Sequence, residues 1–232
     1  MHDDLLDLGD NRMVLQRIAD ESIDLIVTDP PYGIAYRRTR RAKTQTPRIV
    51  ADTPFESHEL LKAVVPELAR VLRPGGTIYL FAPGGRSMFR QGSDLVGVLD
   101  AHFDLRQAMV WDKKAIGVGC YWRSQYETIV MASKGPVTGW NGGRSRSNIL
   151  RCGRPRIWPG GHPTPKPIEL LKVLIEASSK PGDLVLDPFA GSGATAAAAL
   201  ELGRRFIAID VDPSWLPEVE GRHRLPVRRF EK

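Results

Sequence analysis

The chain has 232 residues, a length that fits one α/β domain with added loops better than two independent cores. Its composition is 42% hydrophobic and 26% charged, and no apolar run reaches the roughly 20 residues that cross a bilayer, which argues against a membrane protein. Two cysteines and five scattered histidines match neither a disulfide framework nor a metal-binding pattern, so we predict no metal.

The start of the chain is acidic where a secretory signal would be basic. We therefore predict a cytoplasmic location. The first predicted strand is the apolar run Ile23 to Thr28, which ends in a polar turn formed by Asp29, Pro30, Pro31 and Tyr32. Because proline cannot continue a strand ladder, Asp29 is expected at the carboxyl end of a buried strand. By itself the pattern could also be a Pro-Pro turn that only ends a strand.

The net charge is +6, and the positive charge is concentrated in a few segments. No acidic residue lies between Gly33 and Asp52 or from Thr128 to Ile168, and the tail from Arg222 to Lys232 is a third basic cluster. Any of these could be solvated surface charge, but two of them adjoin polar motifs, which favours contacts with phosphate. The predicted contacts are Arg37, Arg38, Arg40, Arg41, Lys43, Arg144, Arg146, Arg151, Arg154 and Arg156.

The middle of the chain predicts a helix followed by strands. Apolar residues at helical spacing predict a helix over 59–72, which Pro74-Gly75-Gly76 should stop. Strands are then predicted over 77–81, 108–111 and 127–132. Residues 134–166 are rich in Gly, Pro, Arg and Ser and are predicted to form one long loop that contacts a polyanion.

The last third predicts a strand-helix-strand unit. Its elements are a helix over 167–177, a strand over 184–186, a helix over 193–202 and a strand over 205–209. Alternating helices and strands imply a doubly wound, mostly parallel sheet whose ligands bind at the carboxyl ends of the strands.

Within this unit, a small-residue loop follows the strand that ends at Asp187. Gly191 and Gly193 permit a tight turn that exposes backbone amides at a helix start, although two glycines alone could be a plain turn. Asp210 ends the next strand, where nucleotide-binding folds place a ribose ligand. Because Asp187 suits a positively charged cofactor better than a pyrophosphate, we predict S-adenosylmethionine rather than NAD.

Asp29-Pro30-Pro31-Tyr32 and the nine residues from Asp187 to Thr195 together resemble the amino-methylating DNA methyltransferases. The catalytic motif precedes the cofactor motif, which is similar to the beta class. Further similar segments extend over nearly the whole chain, at Leu8–Asp10, Trp111–Lys113, Arg123–Glu127, Lys134-Gly135 and His162–Pro167. The resemblance implies one methyltransferase domain over 1–232, with a Rossmann-like fold in permuted order.

The resemblance also implies roles for individual residues. Asp29 and the Pro30 carbonyl would accept hydrogen from a base amine, while Pro31 shapes the turn and Tyr32 stacks on the flipped base. Asp10 could instead cap a helix, and Lys166 could be a surface charge. The implied cofactor residues are Asp10, Asn11, Asp29, Thr164, Lys166, Asp187, Phe189, Ala190, Gly191, Ser192, Gly193 and Asp210.

In place of the recognition domain of many relatives, the chain has only the 26 residues 136–161. This predicts a short or degenerate DNA target, contacted by the arginines of 144–156 and 37–48. The predicted substrate is the N6 amine of adenine in DNA, with the N4 amine of cytosine as the alternative. Rival hypotheses are a protein-glutamine or RNA methyltransferase and a DNA-binding relative without activity. By analogy we also predict a homodimer.

Overall fold

The computed structural model describes residues 5–34, 50–89, 91–117, 121–157, 161–215, 219–223 and 227–228. Across these ranges, nine strands form one sheet: β1 (Leu5–Leu8), β2 (Ile23–Thr28), β3 (Leu72–Ala82), β4 (Asp104–Asp112), β5 (Tyr126–Ser133), β6 (Ile149–Arg151), β7 (Leu184–Asp187), β8 (Arg205–Asp210) and β9 (Val227–Arg228). The α-helices of the same ranges are α1 (Asn11–Val14), α2 (Pro54–Val71), α3 (Gln91–Asp100), α4 (Ile168–Ser178) and α5 (Ala194–Glu201). Among the residues described, no helix is both long and apolar enough to span a bilayer.

The strand order is β6-β4-β5-β3-β2-β7-β8-β1-β9. Every pairing is parallel except those of β5 with β3 and β4, which confirms the predicted doubly wound, mostly parallel sheet. Strand β2 continues through α2 to β3 on one side, whereas β7 continues through α5 to β8 on the other. The direction of strand succession therefore reverses between the paired strands β2 and β7. Such a topological switch point is where α/β folds bind ligands. We call the sheet edge at which β2, β3, β7 and β8 end the carboxyl edge.

Two hydrophobic cores flank the sheet. In β3, Ile78 and Leu80 belong to the core that includes α2 and α3, whereas Tyr79 and Phe81 belong to the core that includes α4 and α5. This alternation follows from the two-residue period of a strand. Because both faces are covered, the central strands appear in the sequence as continuous apolar runs, which is why β2 and β7 were predictable.

Helix α2 differs from its prediction at both ends. It begins at Pro54 rather than at residue 59, because Thr53 and Glu56 form a capping box. The Glu56 amide donates to Thr53 Oγ1 at 3.3 Å, and the Thr53 amide donates to Glu56 Oε2 at 3.2 Å. The helix ends at Val71, and β3 follows at once, so Pro74-Gly75-Gly76 lies within the strand instead of before it.

The predicted loop over 134–166 contains strand β6, so its prediction as one continuous loop was wrong. Val110 pairs with Ile149 and Asp112 with Arg151, which makes β6 a parallel neighbour of β4. Three residues are too few to show a period in the sequence. This segment first contacts the C-terminal end of α4, where the Asn141 amide donates to Ala177 O at 2.7 Å. It then returns to the carboxyl edge at Arg151.

Candidate active site

Three carboxylates meet at the carboxyl edge: Asp29 follows β2, Asp187 ends β7 and Asp210 ends β8. Since β2 pairs with β7 and β7 with β8, these strands are consecutive neighbours. They open onto a cavity of about 740 Å³. The predicted site residues that line it are Asp10, Asn11, Asp29, Pro30, Pro31, Tyr32, Thr164, Lys166, Asp187, Phe189, Ala190, Gly191, Ser192 and Asp210.

A largely buried polar cluster surrounds Asp29. Its Oδ1 accepts a hydrogen bond from the Tyr32 hydroxyl at 2.6 Å, and its Oδ2 accepts one from Lys166 Nζ. Glu127, at the start of β5, faces the same donors: its Oε2 lies 3.3 Å from the Tyr32 hydroxyl and 3.5 Å from Lys166 Nζ. Lys113 Nζ donates to Glu127 Oε1 at 3.2 Å. Lys166 is therefore a buried partner of the catalytic motif and not a surface charge.

Burial and charge set the ionisation of this cluster. Burial raises the pKa of Asp29, with Lys166 opposing and Glu127 reinforcing that shift. Burial also pushes the pKa of Glu127 upward, but Lys166 and Lys113 outweigh it and hold that pKa below its usual value. Tyr32 has a pKa well above 10, because it is buried beside both carboxylates, and its hydroxyl stays a donor.

Glu127 was not among the residues predicted for the site. It appeared in the sequence only as the end of the similar segment Arg123–Glu127. The antiparallel β5 pairs Thr128 with Ala82, at the end of β3, and so places Glu127 at the carboxyl edge. That strand direction was not predictable from the apolar pattern alone, which is equally compatible with a parallel strand.

Asp187 anchors the small-residue loop after β7. Its Oδ1 accepts hydrogen bonds from Thr28 Oγ1 at 2.9 Å and from the Phe189 amide at 3.1 Å. Burial raises the pKa of Asp187 to about 6, although these hydrogen bonds and one from Thr195 lower it. Asn11 fixes the same loop from the other side, because its Nδ2 donates to Pro188 O at 3.0 Å.

Gly191 brings the loop close to β8 and to His162. Its amide donates to Asp210 Oδ2 at 2.6 Å, and its φ of +48° is in the left-handed region that favours glycine. A Cβ at this position would lie 3.1 Å from His162 Nε2. Burial, followed by the charge of Lys166, lowers the pKa of His162 to about 4, so this ring is neutral at pH 7.

Other predicted cofactor residues have structural contacts of their own. Asp10 caps α1, as the alternative interpretation held, by accepting from the Arg12 amide at 3.0 Å, and it also lines the cavity. The Thr164 amide donates to His162 Nδ1 at 3.3 Å. Gly193 is not among the lining residues of the cavity: it precedes α5 with a φ of +75° and shapes the turn.

The predicted basic contacts divide into three groups. Arg37, Arg38, Arg40, Arg41 and Lys43 lie outside the described residues. Arg151, Arg154 and Arg156 are exposed, and the first of them ends β6 at the carboxyl edge. Arg144 and Arg146 are exposed but precede β6, and Arg146 Nε donates to Gly142 O at 3.2 Å. Within the described ranges, no group of three His, Cys, Asp or Glu residues has a metal-binding arrangement.

Comparison with known proteins identifies the class. A family profile described as DNA methylase matches residues 23–220, so the chain belongs to this family, as the resemblance in its motifs predicted. Among curated relatives, DNA adenine methyltransferase YhdJ of Escherichia coli K12 is 29% identical over 246 residues, covering 90% of this chain and 78% of that protein. Type II methyltransferase M2.DpnII of Streptococcus pneumoniae is also 29% identical, covering 90% of this chain and 85% of that protein.

Solved structures share the fold across nearly the whole chain. A putative DNA modification methylase from Thermus thermophilus, complexed with S-adenosyl-L-methionine, has a TM-score of 0.70 at 23% identity, covering 98% of this chain and all of that one. The PvuII DNA methyltransferase, described as cytosine-N4-specific, has a TM-score of 0.77 at 18% identity, covering 96% of this chain and 87% of that one. At these identities the likeness establishes the fold.

Proposed function

We propose that this protein transfers a methyl group from S-adenosylmethionine to the N6 amine of adenine in DNA. The observation that carries the proposal is that Asp29 and Asp187, far apart in sequence, follow neighbouring parallel strands and line one cavity. A relative named as an adenine methyltransferase supports the choice of base, as does Asp as the first residue of the catalytic motif. Cytosine N4 is the alternative.

The cavity fits the proposed methyl donor in size and in chemistry. A space of about 740 Å³ is within the range of cofactor pockets, and its carboxylates complement the positive charges of S-adenosylmethionine. Asp210 would accept from ribose hydroxyls, because a carboxylate retains lone pairs after accepting hydrogen bonds from two amides. When bound, S-adenosylmethionine supplies a methyl group on a positively charged sulfur.

Asp29 and Pro30 would prepare the base. An exocyclic amine is a weak nucleophile because its lone pair is delocalised into the ring. By accepting one hydrogen each, the Asp29 carboxylate and the Pro30 carbonyl would localise that lone pair on nitrogen. The amine must lose a proton as it gains a methyl group, and Asp29, whose pKa burial raises, would accept that proton.

Glu127 would free Asp29 for this role. Both oxygens of Asp29 already accept hydrogen bonds, one from Tyr32 and one from Lys166. Glu127 Oε2 lies within 3.5 Å of both donors. We propose that these donors shift to Glu127 when the base amine arrives, which makes Glu127 a positioning residue.

DNA is the proposed partner and the cytoplasm the proposed location. We propose that residues 136–161 take the place of a recognition domain; so short a segment has few side chains for base contacts, which supports a short or degenerate target. Strict recognition of a site longer than about six base pairs in a binding assay would contradict this.

Long-read sequencing that detects methylated bases tests the activity and its context. DNA exposed to the protein should carry methylated adenine in a recurring short context, and DNA exposed to an Asp29→Ala variant should carry none. Asp100→Ala, an exposed change at the end of α3, is the matched control and should methylate normally. Mass spectrometry of the nucleosides distinguishes N6-methyladenine from N4-methylcytosine. Unmodified DNA with the wild-type protein would overturn the proposal.

A further inference from the structure

A β-hairpin projects from the sheet beside the cavity. It joins β4 to β5, and we call residues 113–125 the rim hairpin, of which residues 118–120 lie outside the described ranges. Two backbone hydrogen bonds cross this segment beyond the strands: the Lys113 amide donates to Gln125 O at 3.0 Å, and the Gly117 amide donates to Ser124 O at 2.8 Å. Since β5 begins opposite the end of β3, the rim hairpin extends from the carboxyl edge.

Two large aromatic side chains are fully exposed on this hairpin, Tyr121 and Trp122. By contrast Trp111, in β4 at the base of the hairpin, is only 2% exposed. Tyr121 also has a φ of +58°, which is unfavourable for a bulky residue and is typical of functional positions. Two adjacent, fully exposed aromatic rings indicate a surface that binds a partner.

The charge around these rings favours a polyanion. Lys114 and Arg123 are exposed on the hairpin itself. The guanidinium of Arg154, after β6, lies beside Gly117, and Arg151 Nε is 3.8 Å from Asp112 Oδ2. Basic side chains with interleaved aromatic rings form the combination that binds nucleic acid backbones and stacks on bases.

The rim hairpin is joined through the start of β5 to the polar cluster around Asp29. Glu127, which contacts Tyr32 and Lys166, follows Trp122 by five residues in the same chain segment. At about 3.3 Å per extended residue, the Cα of Trp122 lies within about 17 Å of the Cα of Glu127. A duplex whose target base enters the cavity would therefore meet the rim hairpin.

We propose that Tyr121 and Trp122 enter duplex DNA next to the target nucleotide and stack on the bases that its extrusion leaves uncovered. The inference rests on the proposed function. Extruding a base loses stacking, and an inserted aromatic ring replaces part of it whatever the sequence, because every base has a π face. The partner is thus double-stranded DNA at the moment of base flipping.

Methylation of duplex and single-stranded DNA of the same sequence, in the context found by sequencing, tests this. The double variant Tyr121→Ala/Trp122→Ala should lose about tenfold or more in rate on the duplex and less than about threefold on the single strand, which needs no base extrusion. A variant with Tyr121→Phe and Trp122→Phe should retain most of the duplex rate. His102→Ala is the matched control, since this exposed ring lies between α3 and the start of β4, at the end of the strands opposite the carboxyl edge.

Equal losses on both substrates, or no loss, would overturn the inference. If the wild-type protein methylated neither substrate, the proposed function would fail instead, and binding would still test the hairpin. A duplex with one abasic position should then bind the wild-type protein more tightly than an intact duplex, and the double alanine variant should show no such preference. Absence of that preference in the wild-type protein would contradict the role of the rings.

Discussion

Burial raises the pKa of the Asp29 carboxyl, and both of its oxygens accept hydrogen bonds. A buried carboxylate and a lysine stabilise each other as an ion pair. Lys166 must therefore bind another acceptor before Asp29 can act on a substrate. The second carboxylate, Glu127, offers that alternative position while keeping both donors satisfied. The two lysines and two carboxylates thereby keep the cluster near neutral as its hydrogen bonds change.

The role of Glu127 predicts a selective loss of rate. Glu127→Gln keeps the shape but removes the charge that attracts Lys166 and Lys113, so Lys166 should stay on Asp29. We expect kcat to fall about 10- to 100-fold, the value of a charge-assisted hydrogen bond, with less than about twofold change in S-adenosylmethionine affinity. Single-turnover methylation and calorimetry measure the two quantities. Glu169→Gln, exposed in α4, is the control. A parallel loss of cofactor affinity would indicate a merely structural role.

The raised pKa of Asp187, about 6, predicts a pH dependence of cofactor binding. Below this pKa the carboxyl is protonated and neutral, and its attraction for a positively charged ligand is lost. Calorimetry should therefore show S-adenosylmethionine affinity about tenfold weaker at pH 5 than at pH 7, as the ionised fraction falls by that factor. In an Asp187→Asn variant the affinity should be weaker at pH 7 and should change little over this range. A wild-type affinity that is flat from pH 5 to pH 7 would refute the role of Asp187.

At the scale of elements, α2 illustrates how a short polar pattern sets a boundary. Its capping box joins Thr53 and Glu56, within the stretch from Val50 to Ala63 that contributes residues to the cavity wall. Thr53→Ala should lower the free energy of unfolding by about 1 kcal/mol, measured by urea denaturation. Thr53→Ser keeps the hydroxyl and should retain most of that stability. Equal stability of the two variants would mean that the cap contributes nothing.

The elements also explain what the sequence could and could not predict. Strands β2 and β7 were predictable because burial on both faces produces unbroken apolar runs next to turn residues. The start of α2 was missed because its first turn places no apolar residue in the core, since Phe55 is exposed, and β6 was missed because it is three residues long. Glu127 was missed for a different reason: its place in the site depends on the antiparallel direction of β5, which only tertiary pairing decides.

At the scale of the whole molecule, the predicted homodimer remains a prediction. Two copies would present two carboxyl edges to one DNA molecule and increase the basic surface available to it. Light scattering coupled to gel filtration should give twice the chain mass of 25.8 kDa. A mass of one chain at micromolar concentration, with full methylation activity, would show that the single copy suffices.

The position of β7 and β8 has a consequence for how the protein is made. These two strands lie between β2 and β1, which were synthesised before them and which cannot pair with each other in the finished sheet. Until residues 184–210 leave the ribosome, β1 therefore lacks its partner β8, and β2 lacks β7. A nascent chain at that stage contains Asp29 and Tyr32 but lacks the small-residue loop after β7. Methylation would thus begin only after the last central strands have been translated and inserted.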